Sequence, residues 1–504
     1  MSKLKSNILF NFVGNAWLGL LTLIVTPIQV NLLGIEAFGF VGLIAILQIL
    51  FGSFDLGIAA TVTKTISSDH STDYVDSEKI VNTASTVYWT MAVLLALVLL
   101  TSAETIVRQW ATQSKLDPLV FLHGVQLVSI YLTIRWPVAF YSGIISGLQR
   151  MDLLNVIKAI VQTLRLGGSA VVLMVRPDLI AFLYWLVISA LIELTLFYLS
   201  ARYLFPRLKL IPYFSVPAFS KIWKYSASMN LIGLTALVLS QADRIVVTQL
   251  LTLEALGYYT VAYTAATIIS LIQSSINNAS FPAFSYAFSQ GGHSRLAPQF
   301  NKISQLMCGV LTLPCCIIAF FSQDILRIWL NNSVAISAST TMGILALGFF
   351  LNAVTSNAYI ASIACGQQSV PLKINLIALF IYLPALYFMT NWYGIIGAAT
   401  AYAGLNFYYL ITLVPIIQFK LIRQSYLRWL QDNVVPYIVI GTTALGLSKL
   451  AAVKFDDDWQ VVSLVISGAF VYALAAWYVL PKELQHDTKL LINRFTRNKD
   501  APQS

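Results

Sequence analysis

Charged residues are scarce in this chain, and their scarcity decides the class of protein. Asp, Glu, Lys and Arg make up 10% of its 504 residues, whereas 58% of the residues are hydrophobic and the mean hydropathy is +0.75. A soluble domain is typically about 25% charged. No soluble globular chain could bury so much apolar surface, so the composition excludes that class and predicts that a lipid bilayer is the solvent.

Histidine and the common catalytic motifs are rare or missing. The four histidines lie far apart and give no metal-ligand spacing: His70, His123, His293 and His486. The sequence contains no G-x-x-x-x-G-K followed by Ser or Thr, no H-E-x-x-H and no G-x-S-x-G, which are motifs of nucleotide binding, zinc proteolysis and serine hydrolysis. We therefore expect no metal, no cofactor, no bound ATP and no enzymatic activity.

Long segments outside the apolar runs are absent too. The longest predicted outer connections cover about residues 101–118 and 322–337, which is too short for a folded domain. The four cysteines fall in apolar runs or at a cytoplasmic end: Cys308, Cys315, Cys316 and Cys365. No pair is placed for an extracytoplasmic disulfide, so a disulfide-linked outer domain is not expected.

Fourteen apolar runs are long enough to cross a membrane as helices, which takes about 20 residues each. Their length excludes an outer-membrane barrel, whose strands have about ten residues of alternating polarity. The first run lacks an A-x-A cleavage site, so we expect it to be retained and not removed as a signal peptide. The predicted fold class is an all-α polytopic membrane protein with about 14 transmembrane helices.

Lysine and arginine are distributed unevenly between the two sides of the membrane. With the N-terminus in the cytoplasm, the outer loops contain only six of the 31 basic residues: Arg108, Lys115, Arg176, Arg327, Lys449 and Lys454. Since cytoplasmic loops are enriched in Lys and Arg, both termini are predicted to lie in the cytoplasm. The same bias accounts for the net charge of +10, which therefore does not indicate nucleic-acid binding. The basic tail is placed to contact anionic membrane lipids, and the favoured alternative is that it holds the last span in place.

A short motif near the start of the second run recurs in the second half of the chain. Residues 32–40, LLGIEAFGF, resemble residues 250–258, LLTLEALGY, which lie 218 positions later. Residues 141–149, YSGIISGLQ, resemble residues 359–368, YIASIACGQQ, at nearly the same offset. A repeat this long in an apolar chain is typical of transporters that are built from a duplicated half-molecule.

Six predicted spans separate the two copies, an even number, so the two halves have the same orientation in the membrane. We predict two six-helix lobes that are related by an axis along the membrane normal. The N-lobe covers residues 1–212 and the C-lobe residues 213–425. Residues 426–504 add two C-terminal helices and a basic cytoplasmic tail.

Polar side chains follow one helical face on the first and on the seventh span, which are equivalent in the two lobes. They are Asn11, Asn15, Thr22, Thr26 and Gln29 on the first span, and Ser226, Asn230, Gln241, Arg244 and Thr248 on the seventh. Stripes that run along a whole span favour a water-filled lumen, and packing between helices through small polar residues is the alternative. From the stripes we predict substrate-binding lumen residues at Asn11, Asn15, Gln29, Asn230, Gln241 and Arg244.

Two arginines lie near the middle of adjacent spans, Arg135 on the fourth and Arg165 on the fifth. An arginine at the bilayer centre costs about 2.5–3.5 kcal/mol even on insertion scales. Arg165 also shares one helical face with Lys158 and Gln162. Because a guanidinium suits phosphate or carboxylate, we predict that these four residues line the lumen and bind an anionic substrate. The alternative, which is compatible with it, is that each arginine pairs with a buried acid.

The acids available within or near the spans are Asp55, Glu193 and Asp243. Asp55 and Glu193 are predicted to lie deeper, whereas Asp243 and its neighbour Arg244 lie towards the outer end of the seventh span, where an interfacial position is expected. An intramembrane acid can bind H⁺ or Na⁺ and couple it to transport. All three are therefore candidates for ion coupling, and hydrogen bonding between helices would explain them equally well.

Several motifs around these residues together resemble one superfamily. They are Gly34 to Gly39 with its Glu-Ala-Phe-Gly core, Phe54-Asp55-Leu56-Gly57 followed by Thr63 to Ser67, Gly143 to Arg150, Asp243-Arg244-Ile245 and Gly257-Tyr258-Tyr259. Over about residues 8–420 the chain resembles the polysaccharide-transport branch of the multidrug/oligosaccharidyl-lipid/polysaccharide exporter superfamily, which includes the O-antigen flippases. Lys64 stands where members often have arginine, which leaves the charge unchanged.

The resemblance implies a V-shaped pair of six-helix lobes that works by alternating access. It implies that the chain lies in the inner membrane of a bacterium and moves an undecaprenyl-diphosphate-linked oligosaccharide from the cytoplasmic to the periplasmic leaflet. The oligosaccharide would serve a surface polysaccharide such as the O-antigen of lipopolysaccharide. Members place cationic residues in the lumen, and H⁺ or Na⁺ would drive the exchange. A polysaccharide polymerase and a chain-length regulator are the protein partners that it implies.

Two other functions compete with this interpretation. A multidrug antiporter of the same superfamily would favour acids and aromatic residues in the lumen over paired arginines. A membrane glycosyltransferase or polymerase would carry a sizeable outer loop with catalytic residues, and the longest outer loop here is short, with only Glu104, Arg108, Lys115 and Asp117 as charged residues. A channel is a third class, which the paired lobes disfavour.

The predicted topology can be tested by cysteine labelling in intact cells. In a background without the native cysteines, Gln113→Cys in the predicted outer loop should react with an impermeant maleimide, whereas Leu210→Cys in the predicted inner loop should react only after permeabilisation. Labelling of Leu210→Cys in intact cells would contradict the orientation and the assignment of spans to the N-lobe.

Overall fold

The structure of the chain is a computed structural model that describes most of its residues. The described ranges are 2–53, 55, 57–68, 74–110, 114–206, 208, 212–453, 455, 457–481 and 485. Within them, side chains are described except at 2–16, 53, 68, 74–77, 106, 108–110, 221–234 and 236. All the regular secondary structure of these ranges is helical, which confirms the predicted all-α fold class.

The chain forms two compact units, of which the first is Met1–Thr260. It contains nine helices and the start of a tenth. They are α1 Ser2–Leu33, α2 Ile35–Ser53, α3 Ile58–Ser68, α4 Tyr74–Trp110, α5 Pro118–Arg135, α6 Val138–Gly147, α7 Met151–Val175, α8 Leu179–Leu204, α9 Val216–Leu250 and α10 Leu253–Ala266. The division into lobes at residue 212 stays a prediction.

The second unit is Val261–Ser504. It contains the end of α10, six further α-helices and a π-helical turn at Gln418–Ile422. The α-helices are α11 Ile268–Trp329, α12 Asn332–Ala364, α13 Ser369–Ile417, α14 Tyr426–Asn433, α15 Val435–Ala452 and α16 Asp458–Val479.

Ten helical segments of the described residues are long and apolar enough to cross a membrane. Two of these segments, in α11 and α13, contain two predicted spans each. In each helix a glycine with positive φ forms a kink between the two spans: Gly292, with φ +57°, in α11, and Gly394, with φ +58°, in α13. The remaining two predicted spans lie in α1 and α9. The chain is therefore a multi-pass membrane protein, and its helices accommodate all fourteen predicted spans.

The ends of the helices in the first unit follow from capping residues and proline. Asp117 begins α5 by accepting a hydrogen bond from Leu119 N at 2.7 Å, and Asp178 begins α8 by accepting one from Ala181 N at 2.9 Å. Pro137 ends the hydrogen-bonded ladder of α5, since proline has no amide N–H. The break at Trp136-Pro137 makes Arg135 the last residue of α5.

Aromatic side chains at that break form the core of the first unit. The Tyr88 ring on α4 lies 6.3 Å from the Trp136 ring and 5.4 Å from the Phe140 ring, measured between centroids. Phe140 in turn contacts Tyr141 at 5.1 Å. Burial of such rings dominates core energetics, so the turn that ends in Arg135 is held against α4 by well-packed aromatic residues.

The repeated motif of the sequence forms a reciprocal contact between α2 and the start of α10. A Cβ atom added at Gly39 would lie 2.0 Å from the carbonyl oxygen of Leu253, and one added at Gly257 would lie 2.1 Å from the carbonyl oxygen of Ile35. Gly39 and Gly257 are equivalent in the repeat, as are Ile35 and Leu253. The two copies thus pack backbone to backbone with a local two-fold relation, and only glycine fits at either position. We call this the repeat contact.

The glutamates of the two copies both bind the segment that precedes α5. Glu36 Oε1 accepts hydrogen bonds from Ser114 Oγ at 2.9 Å and from Lys115 N at 2.6 Å, and Glu254 Oε2 accepts one from Lys115 Nζ at 2.8 Å. The hydrogen bond with Glu254 raises the pKa of the Lys115 ammonium above its ordinary value. Because Lys115 is exposed, its ion pair contributes little stability, and the glycines hold the contact.

Substitution of the repeat glycines tests this packing. Gly39→Ala and Gly257→Ala should each destabilise the protein by about 1–3 kcal/mol, because the new methyl group must displace a carbonyl oxygen. Purified variants in detergent should therefore unfold at a lower temperature than wild type. Gly167→Ala in α7 is the matched control, since its Cβ would meet nothing within 4 Å. Equal melting of all three variants would contradict the reciprocal contact.

Candidate functional site

Arg135 is held at the end of α5 by side chains from two other helices. Its Nε donates a hydrogen bond to Glu193 Oε2 on α8 at 2.8 Å, and its Nη1 donates to Gln48 Oε1 on α2 at 2.6 Å. A guanidinium bound on two sides keeps a fixed orientation, because its donors lie in one plane.

Arg165 on α7 binds the same carboxylate. Its Nη2 donates to Glu193 Oε2, and its Nε donates to Ser189 Oγ at 3.4 Å. The Arg165 carbonyl accepts a hydrogen bond from Trp185 Nε1 at 3.1 Å, which fixes α7 against α8. Glu193 is therefore shared by two guanidinium groups, and we call Arg135, Glu193 and Arg165 the arginine triad.

The Tyr131 ring packs beside both arginines. The Cζ atom of Arg135 lies 5.6 Å from the ring centroid and that of Arg165 lies 5.9 Å from it. The Tyr131 hydroxyl also accepts a hydrogen bond from Arg135 Nη1 at 3.3 Å. A cation over a ring face is stabilised by the ring quadrupole, so Tyr131 helps to hold two positive charges close together.

The members of the triad differ in their exposure. The side chains of Arg165 and Glu193 are 8% and 7% exposed, whereas that of Arg135 is 24% exposed. Buried charges are tolerated when they are paired, and here one carboxylate serves two cations. The triad therefore carries one net positive charge, and Arg135 is the member that presents it.

Arg135 faces a cavity of about 440 Å³ inside the first unit, which we call the arginine cavity. Its walls come from α1, α2, α4 to α8 and the connection that contains Asp55. The polar residues that line it are Gln48, Asp55, Tyr88, Arg135, Trp136, Ser142, Lys158, Gln162 and Glu193. With Arg165 behind the wall, three cations stand against two carboxylates, and the cavity suits an anion.

Two buried donors in the wall of the cavity add to this preference. Tyr88 is 1% exposed and Trp136 is 7% exposed. Among the residues that the structure describes, neither the Tyr88 hydroxyl nor the Trp136 Nε1 has a hydrogen-bond partner. An unsatisfied buried donor costs about 1–3 kcal/mol, which a bound acceptor could offset.

Asp55 lies between α2 and α3 and also lines the cavity. Its carboxylate oxygens are 3.3 and 3.4 Å from Ala59 N, at the start of α3, where a negative charge suits the helix N-terminus. Within the described ranges, no Lys or Arg lies at ion-pair distance from Asp55, and no three His, Cys, Asp or Glu side chains are grouped to hold a metal ion.

The predicted site residues of the N-lobe divide into two groups. Lys158 and Gln162 line the arginine cavity together with Arg135, Asp55 and Glu193. Arg165 does not line it, because its guanidinium is turned to Glu193 and Ser189. The acid pairing left open in the sequence is therefore present for both arginines, and only Arg135 combines that pairing with exposure to the cavity.

The stripe on α1 packs against α7 over its second half. Gln29 is buried and its Nε2 donates to Ser169 Oγ on α7 at 3.1 Å. Thr26 is buried as well, and its hydroxyl donates to Thr22 O at 2.8 Å. In this part of α1 the polar side chains pack between helices, which was the alternative to a water-filled lumen. The side chains of Asn11 and Asn15 lie outside the described residues.

The polar residues at the end of α9 form a separate cluster. Asp243 Oδ2 accepts a hydrogen bond from the Tyr259 hydroxyl at 2.5 Å, and Arg244 donates to Gln241 Oε1. Asp243 is 0% exposed and Arg244 is 7% exposed, so both side chains are buried within the protein, and the interfacial position expected for them stays a prediction. The side chain of Asn230 lies outside the described residues.

Sequence reasoning missed several residues of the cavity. Gln48 was hidden within an apolar run, although an amide in a transmembrane segment is itself a signal. Tyr88 and Trp136 could not be found, because aromatic residues are frequent in this chain and their position beside Arg135 depends on tertiary packing.

Comparisons with known proteins agree with the predicted family and fold. Residues 4–288, more than half of the chain, match the family model described as polysaccharide biosynthesis protein. A putative O-antigen transporter of Shigella flexneri is 24% identical over 377 residues, which cover 74% of this chain and 87% of that protein.

Two solved structures illustrate the fold. The lipid II flippase MurJ in an inward closed conformation is similar with a TM-score of 0.75 and 14% identity, covering 93% of this chain and 98% of that one. An inward-facing multidrug resistance MATE family transporter is similar with a TM-score of 0.64 and 12% identity, covering 81% of this chain and 99% of that one. This chain therefore belongs to the polysaccharide biosynthesis protein family and has the MurJ- and MATE-like fold of the multidrug/oligosaccharidyl-lipid/polysaccharide exporter superfamily.

Proposed function

We propose that this protein is a flippase that moves an undecaprenyl-diphosphate-linked oligosaccharide from the cytoplasmic to the periplasmic leaflet of a bacterial inner membrane, for surface polysaccharide such as O-antigen. The observation that carries the proposal is the arginine cavity, in which Arg135 presents the uncompensated charge of the triad. A diphosphate is a dense anion with many acceptors, which a guanidinium binds in bidentate fashion.

The roles of the cavity residues follow from their donors. Arg135 and Lys158 would hold the diphosphate, and Gln162 would donate to it from one helical turn further along α7. Trp136 and Tyr88, whose donors have no partner in the described part of the chain, would supply further hydrogen bonds. Arg165 would act through Glu193, by fixing the carboxylate that orients Arg135.

The comparisons support this class of function. The Shigella flexneri relative is a putative O-antigen transporter, and MurJ is a lipid II flippase. We extend to this chain the transport of a lipid-linked glycan, with a polysaccharide polymerase and a chain-length regulator as partners. Two six-helix lobes, residues 1–212 and 213–425, would alternate access to the site, and both termini would be cytoplasmic.

Coupling to H⁺ or Na⁺ would use Asp55. Glu193 is engaged by two arginines and Asp243 by Tyr259, whereas Asp55 lines the cavity without a basic partner in the described part of the chain. Asp55 shares the cavity with the cations that would bind the substrate. Entry or exit of the anionic substrate would change the electrostatic potential at the Asp55 carboxylate, so Asp55 would bind or release H⁺ or Na⁺ at that step.

The competing functions are less well supported. A multidrug antiporter for cations would need a negative lumen, and the arginine cavity has an excess of positive charge. A glycosyltransferase or polymerase would need acidic, basic or histidine residues in a sizeable outer domain, and the connection at 114–117 is used to bind Glu36 and Glu254.

Two variants with matched changes separate substrate binding from structural pairing. Arg135→Gln leaves the Arg165–Glu193 pair intact, so the protein should fold but lose complementation in a strain without its own transporter. Arg165→Gln combined with Glu193→Gln leaves Arg135 as the single charged member of the triad and should keep substantial transport. Arg135→Lys should rescue in part, since an ammonium retains the charge but not the bidentate fork.

Protein levels and unfolding temperature in detergent provide the controls. Glu193→Gln alone leaves two close cations without an acid and should be the least stable variant. If Arg135→Gln transports normally, or if the Arg165/Glu193 double variant folds normally and transports nothing, the assignment of Arg135 as the substrate ligand is wrong.

A further inference from the structure

A short segment joins α13 to α15 and carries both basic and apolar exposed side chains. Arg423, in a left-handed conformation with φ +60°, follows the π-helical turn, and α14 carries Arg428. Phe419 is 82% exposed and Leu427 is 66% exposed. An eight-residue helix is about 12 Å long and cannot cross a membrane. A segment of this composition between two spans lies at the membrane–water interface.

This segment and α11 enclose a cavity of about 550 Å³ in the second unit. Its polar lining includes the guanidinium groups of Arg423 and Arg428, the carboxylate of Asp432 and the amides of Asn301 and Asn433. All of these residues lie outside the arginine cavity and are not used in the proposed transport reaction.

Two buried carbonyl oxygens in the lining need a donor. Asn433 is 2% exposed; its Nδ2 donates to Trp429 O at 2.9 Å, and its Oδ1 has no partner among the described residues. Asn301 Nδ2 donates to Gln424 Oε1 at 3.0 Å, and its Oδ1 likewise has no partner in the described part of the chain. Buried polar atoms are nearly always hydrogen-bonded, so these acceptors indicate a bound group that donates.

The basic residues of the cavity indicate a phosphate. Arg428 Nε lies 3.6 Å from Asp432 Oδ2 in an exposed pair, and Arg423 has no acidic partner among the described residues. Exposed pairs of this kind are weak, so both guanidinium groups are available to an anion. Guanidinium binds phosphate through two parallel hydrogen bonds.

We propose that this cavity binds the head group of a phospholipid, with its phosphate between Arg423 and Arg428 and a hydroxyl or ammonium of the head group donating to Asn433 and Asn301. Phosphatidylethanolamine and phosphatidylglycerol have such a donor next to the phosphate. Phosphatidylcholine does not, because its quaternary ammonium carries no N–H. The exposed Phe419 and Leu427 would contact the acyl chains, which favours a lipid over a free phosphate ester.

Native mass spectrometry of the full-length protein tests the proposal. Delipidated protein in detergent is titrated with phosphatidylethanolamine, phosphatidylglycerol and phosphatidylcholine of identical acyl chains. The dissociation constant of the first bound molecule should be about tenfold lower for either donor-bearing lipid than for phosphatidylcholine. Phosphatidylcholine cannot form the hydrogen bonds with the buried asparagine oxygens, which accounts for a difference of this size. Asn433→Leu should remove that difference, whereas Arg428→Gln should weaken the binding of all three lipids, because all three carry the phosphate.

Arg150→Gln is the matched control, because Arg150 also forms an exposed pair with a nearby acid, Asp152, at the start of a helix. It should leave the affinity for all three lipids and the head-group preference unchanged. Since Asn433→Leu could disturb α14, Asn301→Leu on α11 serves as a second variant with the same expected loss, and unfolding temperatures report on folding.

Three results would overturn the proposal. The first is equal retention of phosphatidylcholine and the donor-bearing lipids by wild type. The second is an unchanged affinity for all three lipids in the Arg428 variant, or an unchanged preference in both asparagine variants. The third is binding of soluble glycerophosphoethanolamine as tight as that of the lipid, which would assign the cavity to a free phosphate ester and not to a membrane lipid.

Discussion

One carboxylate shared by two guanidinium groups is the interaction on which the first unit depends. Glu193 on α8 binds Arg135 on α5 and Arg165 on α7. Without the Glu193 carboxylate, burial of the two guanidinium groups would be too costly. With a second carboxylate, the triad would be neutral and would have no net charge to offer a ligand. The triad has one carboxylate for two guanidinium groups and is therefore positive. The excess positive charge is at Arg135, which lines the cavity, so the triad favours an anionic ligand.

A second constraint acts at the repeat contact, where the duplicated sequence packs on itself. Gly39 and Gly257 each lie against the carbonyl oxygen at the start of the other copy, and Glu36 and Glu254 both bind the Ser114-Lys115 segment. The repeat is thus visible in the sequence because both copies serve one contact and must keep glycine there. The arginine triad has no such equivalence: the repeat accounts for this packing, and Arg135, Glu193 and Arg165 of the first unit supply the charge.

Much of this could be predicted from the sequence, since lipid makes charged residues conspicuous. Arg135, Lys158, Gln162, Asp55 and Glu193 were found because each is a polar residue in an apolar run, and the all-α class followed from composition. What helical periodicity cannot tell is which polar face meets a cavity and which meets another helix. Gln29 and Arg165 therefore looked like lumen residues but bind Ser169 and Glu193. The hydrogen-bond partner of Asp243, Tyr259, likewise lies on another helix, α10.

The central claim is that the arginine cavity binds its substrate through the diphosphate group. The most direct measurement compares, in proteoliposomes of the purified protein, the flipping rates of two lipids with the same glycan and polyprenyl chain. One has a diphosphate linkage and the other a neutral ether linkage. The account predicts that the protein accelerates flipping of the diphosphate lipid and leaves the ether lipid at the rate of empty liposomes. Equal acceleration of both lipids, or of neither, would contradict it.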